Sequence, residues 1–326
     1  MEPDPGCLIT RRRFLGAAAA SAVAADAACA RRSLAQCPSG KAAVAILRAP
    51  SYGVDLVDRM ARGAALCGLQ VRGKRVLLKP NLVEFDRNSV IHTQAEVLAA
   101  AVSLFERLGA REILIGEGPG HRRDAWFLAE EAGYRAAIPN FESRFVDLNR
   151  DEVSRVAPFA GNAGIYLART ALAADLVVSI ARMKTHHWAG ATLSMKNLFG
   201  VVPGALYGWP KNHLHQVGIA KCVAELYRTF PHTFAMVDGI VGMEGNGPIQ
   251  GLARSCGVLV MGSDLAAVDA TCCRVMGIDP EKIEYLRLAA ARRQVHEQSI
   301  EQRGETIAQV RTPFELIPEF RHVRLL

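Results

Sequence analysis

The sequence predicts an α/β fold: a mostly parallel sheet with helices on both faces and a site at the carboxyl ends of the strands. Three observations carry that reading. Short apolar runs such as "AAVAIL", "RVLLKP", "REILIG" and "DLVVSI" alternate along the chain with longer amphipathic patterns. Strands apolar along their whole length suit a sheet covered on both faces, rather than one with a solvated side. Hydrophobic residues make up 50% of the 326 positions, enough for one large domain or two lobes whose core needs no disulfide staples.

Each element has a local cause. "AAVAIL" (42–47) reads as the first strand, and "GVDLVDRMARGAALCGL" (53–69) repeats apolar residues at helical spacing. "RVLLKP" (75–80) is the second strand. A helix comes next over 93–109, starting at Thr93 and stopped by Gly109. "REILIGEG" (111–118) precedes a helix through Trp126 and Ala132 that Gly133 ends. "RFVDL" (144–148) and "DLVVSI" (175–180) continue the strand series, and a helix over 212–227 begins at Asn212. "TFAMVDG" (233–239) and "GVLVMGSD" (257–264) are strands, with a helix over 264–277 capped by Asp264. The more polar segment after residue 292 wraps the surface or adds an edge strand at "RHVRLL" (321–326).

Each of these strands ends in a polar or glycine-rich segment. The endings are "KPNLVE", "GEGPGH", "ARMKTHH", "DGIVGMEGNGP" and "GSD". In an open parallel sheet these ends lie along one edge, where ligands bind. Lys79, Asn81, Glu84, Glu117, Lys184, His186, Asp238, Glu244, Asn246 and Asp264 are therefore expected to converge. Lysines gathered at one edge depress one another's pKa and favour an anion, or a neutral amine able to act as base or nucleophile. His186 beside Asp238 or Glu244 suits a divalent metal or a proton relay. The glycines of "DGIVGMEGNGP" let the backbone approach a ligand, and Asp238 and Glu244 add negative charge.

Other classes are disfavoured. The net charge of +7 comes without a lysine and arginine stripe interleaved with aromatics, so nucleic acid is a poor partner. "GEGPGH" has His121 where a dinucleotide loop needs glycine. Eight cysteines include no C-x-x-C pair, which argues against zinc ribbons and iron–sulfur clusters and leaves the later ones as small apolar residues. The start of the chain resembles a twin-arginine export signal: "TRRRFLG" (10–16), then an alanine-rich apolar run too short to span a bilayer. Small residues ending at Ala30 and at Ala35 both suit cleavage, so residues 1–35 are expected to be removed and the mature chain to carry no permanent span. The twin-arginine translocation machinery is then a partner, and the periplasm or cell exterior the destination.

Four motifs in order, "VLLKPNLV", "MKTHHWAGATLSMKNLFGVVPG", "VDGIVGMEGNGP" and "GSDLAAVDATCCRVMGIDP", resemble the domain-of-unknown-function 362 family over residues 41–290, leaving 291–326 as a C-terminal extension. The resemblance implies a role for Lys79, Asn81, Lys184, His186, Lys196, Asn197, Glu244, Asn246 and Asp269. Some members join the domain to a ferredoxin-like module whose cysteines this sequence lacks.

The first expectation is an exported enzyme acting on a small carboxylate or phosphate. Lys184, His186 and Glu244 would be catalytic, and Lys79, Asn81, Lys196, Asn197 and Asn246 would bind substrate. A divalent metal would sit on His186, Asp238 and Glu244. The alternatives are a non-catalytic exported protein that binds a metal or an anion and, more weakly supported, a redox protein linked to iron–sulfur partners.

Overall fold

The computed structural model describes residues 40–53, 55–120, 124–209, 211–289 and 295–325. The twin-arginine segment, both cleavage positions and His121 lie outside them.

The strands are β1 (Ala42–Arg48), β2 (Arg75–Pro80), β3 (Glu112–Glu117), β4 (Phe145–Asp147), a separate β5 (Val153–Val156) and β6 (Ile165–Ala168) hairpin, β7 (Leu176–His186), β8 (Gly190–Thr192), β9 (Thr233–Glu244), β10 (Leu252–Gly262) and β11 (Ile300–Gly304). The main sheet runs in the order β11-β1-β10-β9-β7-β2-β3-β4, with β8 folded back on β7. From β4 to β9 the pairing is parallel; β10 is antiparallel to both β9 and β1, and β11 runs parallel to β1. This is the mostly parallel sheet that the sequence implies.

Helices cover both faces. The helices α1 (Leu56–Leu66), α2 (Ala95–Arg107) and α3 (Ala125–Glu131) pack on one side, where Val76, Leu78, Val178 and Ile180 join their buried residues. A short α4 (Ser194–Asn197), then α5 (Asn212–Val217), α6 (Ile219–Thr229) and α7 (Leu265–Val275), pack on the other with Leu77, Val177 and Ala181. Side chains alternate across a strand, so neighbours in sequence feed opposite cores. Every residue of β7 is buried, as a central strand sandwiched between helix layers requires.

Five details differ from what the sequence predicts. "RMKTHH" is not a loop: β7 continues to His186 and turns back as β8. "DGIVGME" likewise continues β9, because β10 pairs with it as far as Glu244. The helix expected over 212–227 is broken at Gly218, whose φ of 112° no L side chain adopts comfortably. The C-terminal edge strand is Ile300–Gly304, while Arg321–Val323 of "RHVRLL" close a 3-10 turn over Pro318–Val323. The antiparallel course of β10 also sends Asp264 to the opposite edge, where it caps α7 by accepting from Ala267 N–H.

Candidate functional site

The carboxyl ends of β2 and β3, the turn after β7, and α4 and α5 enclose a cavity of about 240 Å³. Its floor is a polar network. Lys79 ends β2 on the face of Leu77 and is fully buried; its Nζ donates to Glu117 Oε2 at 2.7 Å, to Pro80 O at 3.0 Å and to Asn197 Oδ1 at 3.2 Å. Glu117 ends the neighbouring β3 and also accepts from Leu82 N–H and Gly118 N–H. Asn197 donates to Lys79 O and Ser179 Oγ, and Asn81 Nδ2 donates to Asn197 Oδ1. Burial lowers the Lys79 pKa against the pull of Glu117. These groups hold one another; of their polar atoms only Asn81 Oδ1 is buried without a partner.

α4 is one turn long, too short to persist unaided. Asp269, buried on α7, holds its start: Oδ1 accepts from Ser194 N–H at 2.8 Å and Ser194 Oγ at 2.5 Å, and Oδ2 accepts from Met195 N–H at 3.0 Å. Burial raises the Asp269 pKa to about 7 despite these donors. The capped turn presents Asn197 to the floor and Lys196 to the cavity. Two glycines allow the close fit. A methyl at Gly200 would lie 1.9 Å from Glu117 Oε1 and 2.4 Å from Lys79 Cε, and one at Gly118 would lie 2.5 Å from Gly200 O.

Among the described residues three lysines line the cavity against one carboxylate, that of Glu117. Lys196 Nζ makes no hydrogen bond among the described residues and lies 3.7 Å from the centroid of the Phe199 ring, a cation–π contact. Burial and then Lys79 bring its pKa down to about 8. Lys211 is not among the residues the sequence singles out. It is 2% exposed, stands at a φ of 67° just before α5, and donates to Gly118 O at 2.7 Å and Phe199 O at 3.1 Å. Burial brings its pKa down to about 7, with Lys79 and Lys196 adding to the fall and Glu117 opposing it. A lysine in the left-handed region is uncommon enough to mark a site, but only the backbone shows it; "WPKNHLH" gives no such warning.

His186 lines the same cavity. Its Nδ1 accepts from Trp188 N–H at 2.9 Å and Ala189 N–H at 3.2 Å, so the neutral ring carries its proton on Nε2. Burial, then Lys196, push its pKa well below 6.5 and keep it neutral. His186 therefore offers a donor at Nε2 rather than a bare nitrogen. That corrects its expected place in a metal centre: a ligating imidazole offers a bare nitrogen and donates from the other, the reverse of this arrangement.

The other expected metal ligands are elsewhere. Asp238 lies on the opposite face of the sheet, paired with Arg182 at 2.7 Å and with the Tyr52 hydroxyl, both ion-pair partners fully buried. Burial raises the pKa of Asp238 and of Tyr52. Glu244 accepts from Glu315 N–H at 2.9 Å and lies 3.7 Å from Arg254. Among the described residues no three of His, Cys, Asp and Glu gather closely enough to hold a metal ion.

The remaining expected site residues divide. Lys79, Asn81, Lys196, Asn197 and His186 come together around the cavity, but Lys184, Glu244 and Asn246 are not among its lining residues. Lys184 is buried against Ile91 O at 2.7 Å and Pro248 O at 3.3 Å, and burial takes its pKa well down. Asn246 is exposed and bonds Gln250. The loop that carries Asn246 contributes Pro248 and Ile249 to the cavity instead. The described cysteines are free, with Cys222, Cys272 and Cys273 buried as small core residues.

Fold and site define an α/β protein with a lysine-rich cavity at the carboxyl edge of its parallel strands. The chain belongs to the family described as a domain of unknown function (DUF362), whose pattern it matches over residues 76–274, from β2 to α7. It is similar to a thylakoid-associated protein of Synechocystis sp., 28% identical over 214 residues, which are 65% of this chain and 65% of that protein's length. Among solved structures it is similar to the lactate racemase apoprotein of Thermoanaerobacterium thermosaccharolyticum, at 16% identity and a TM-score of 0.46 over 74% of this chain and 58% of that one. A protein of Thermotoga maritima is similar at 13% identity and a TM-score of 0.36, over 66% of this chain and 58% of that one. No described helix is long and apolar enough to cross a membrane.

Proposed function

We propose that the protein binds a small organic anion, a carboxylate or a phosphate, in this cavity and acts on it as an enzyme that moves a proton through Lys211. One observation carries the reading: the Lys196 ammonium lines the cavity with no hydrogen-bond partner among the described residues, while Glu117, the carboxylate among the described lining residues, is engaged by Lys79. A half-buried cation with no ion-pair partner among the described residues is stabilised by an anion beside it.

Lys196 and the Nε2–H of His186 would hold the anionic group as two donors. Lys211 supplies the second function. As a neutral amine it has two N–H bonds, and Gly118 O and Phe199 O are positioned to accept both. Its lone pair is then left for a substrate proton, and its pKa of about 7 lets it take or give one at neutral pH. The described donors do not fit a divalent metal, so no step is routed through one.

Calorimetric titration of the purified chain with inorganic phosphate and with acetate tests the binding step. Affinity should fall roughly tenfold or more in Lys196→Gln, as loss of a charge-assisted contact requires. Silence toward both probes, or equal affinity in the variant, would remove the reading. We further propose that residues 1–35 direct the folded chain through the twin-arginine machinery to the periplasm or cell exterior, on the strength of "TRRRFLG" and the apolar run after it.

A further inference from the structure

The cavity is larger and more apolar than an inorganic anion needs. Its volume of about 240 Å³ is roughly eight times the 30 Å³ that one water occupies in the liquid. Phosphate or acetate at Lys196 would leave most of it filled with water against apolar walls. Those walls are Leu82, Val83, Phe199, Pro248, Ile249 and Trp188.

Trp188 is the unexplained member. It is 62% exposed, although tryptophan is a costly residue to leave in water. Its ring packs at steep angles, 76° and 73°, against His187 at 4.9 Å and His215 at 5.3 Å, and His187 is itself held by a 2.7 Å contact between Nδ1 and Gly247 O. Burial lowers the His215 pKa, so that ring is neutral at pH 7 and brings no charge to the rim. An exposed indole braced by two imidazoles at the rim of a cavity forms a flat platform.

We infer that the anion this cavity takes is an aromatic carboxylic acid, its carboxylate at Lys196 and His186 and its ring against Trp188 and the apolar wall. The inference rests on the anion reading and narrows it. The charge and the apolar wall bound one space, so a single molecule carrying both features satisfies them. Tryptophan is the side chain that gains most from a flat apolar partner, by stacking and by covering its exposed face.

The experiment compares four probes by calorimetry on the purified full chain: 2-naphthoate, acetate, inorganic phosphate and the uncharged 2-naphthalenemethanol. The expected result is 2-naphthoate binding at least roughly tenfold tighter than acetate, with Trp188→Ala narrowing that gap to under about threefold. An exposed side chain can be removed without unfolding the chain, and an unchanged melting temperature checks this. Acetate or phosphate binding as tightly as 2-naphthoate would overturn the aromatic inference and leave the anion reading intact. Equal binding of 2-naphthoate and 2-naphthalenemethanol, with no effect of Lys196→Gln, would overturn both.

Discussion

Lys79 Nζ and Glu117 Oε2 meet at 2.7 Å between the ends of two adjacent parallel strands, with 1% and 3% of their side chains exposed. Glu117 is satisfied by Lys79 and by two backbone donors, and it makes no ion pair with the other two lysines of the lining among the described residues. The pair is the cavity's floor, and Lys196 and Lys211 line the space beside it. Breaking it by removing one partner leaves a buried charge alone, so Glu117→Ala is expected to destabilise the fold by roughly 3–5 kcal/mol. Chemical denaturation measures this directly, and a loss under about 1 kcal/mol would contradict the arrangement.

Gly200→Ala tests the same contact from the backbone side. Its methyl would lie within 2.5 Å of Lys79 Nζ and closer still to Glu117 Oε1. The expected cost is roughly 1–3 kcal/mol, with loss of anion binding, because the methyl pushes both ends of the Lys79–Glu117 pair out of their hydrogen-bonded positions. A variant with wild-type stability and affinity would show that the floor is softer than its packing implies.

Asp269→Ala removes the anchor of α4. It leaves Ser194 N–H and Met195 N–H buried without acceptors, at about 1–3 kcal/mol each. Anion affinity should fall with stability, since Lys196 rides on that turn. Wild-type affinity in a variant that still folds would make Asp269 a core residue with no bearing on the site.

The lysines set a pH dependence whose sign can be stated. Lys196 and Lys211 ordinarily titrate at 10.5 and in the fold near 8 and 7. Between those values and 10.5 the unfolded chain holds more protons, so this contribution to stability rises with pH across that window. A bound anion favours the protonated amines, so stabilisation by phosphate or acetate should be largest below about pH 7 and shrink above about pH 8. Melting curves at pH 6.5 and 9, with and without anion, check it; a constant shift would detach the lysines from binding.

Export gives the last prediction. Cells expressing the full chain should yield a shortened protein outside the cytoplasm, and Arg11→Lys with Arg12→Lys should hold it inside. An unprocessed cytoplasmic protein in the wild type would sink the proposal.

The sheet is legible in the sequence because its central strands carry uniformly apolar runs and its helices carry clear stops, as at Gly109 and Gly133. Lys79 and Lys196 are legible too, because each stands against an apolar run, whereas Asn197 enters through the family resemblance. Other residues fall elsewhere for one physical reason. "RMKTHH" and "DGIVGME" are polar or glycine-rich, yet continue as strands because β7, β8, β9 and β10 satisfy one another's backbones. Once those strands lengthen, alternation places Arg182 and Asp238 on the far face, and Glu244 is carried beyond the cavity. Lys211 is hidden because only its backbone conformation and two distant carbonyls reveal it.

The bond from Asp269 to Ser194 spans 75 positions of sequence, and the ribosome releases the chain from its other end. While α7 is still being made, the turn bearing Lys196 has been synthesised but has no acceptor for its first amides. The cavity therefore becomes whole only once α7 has been made, after β2, β3 and β7 have already emerged. Capture of a small molecule by the capped turn has to wait for that helix.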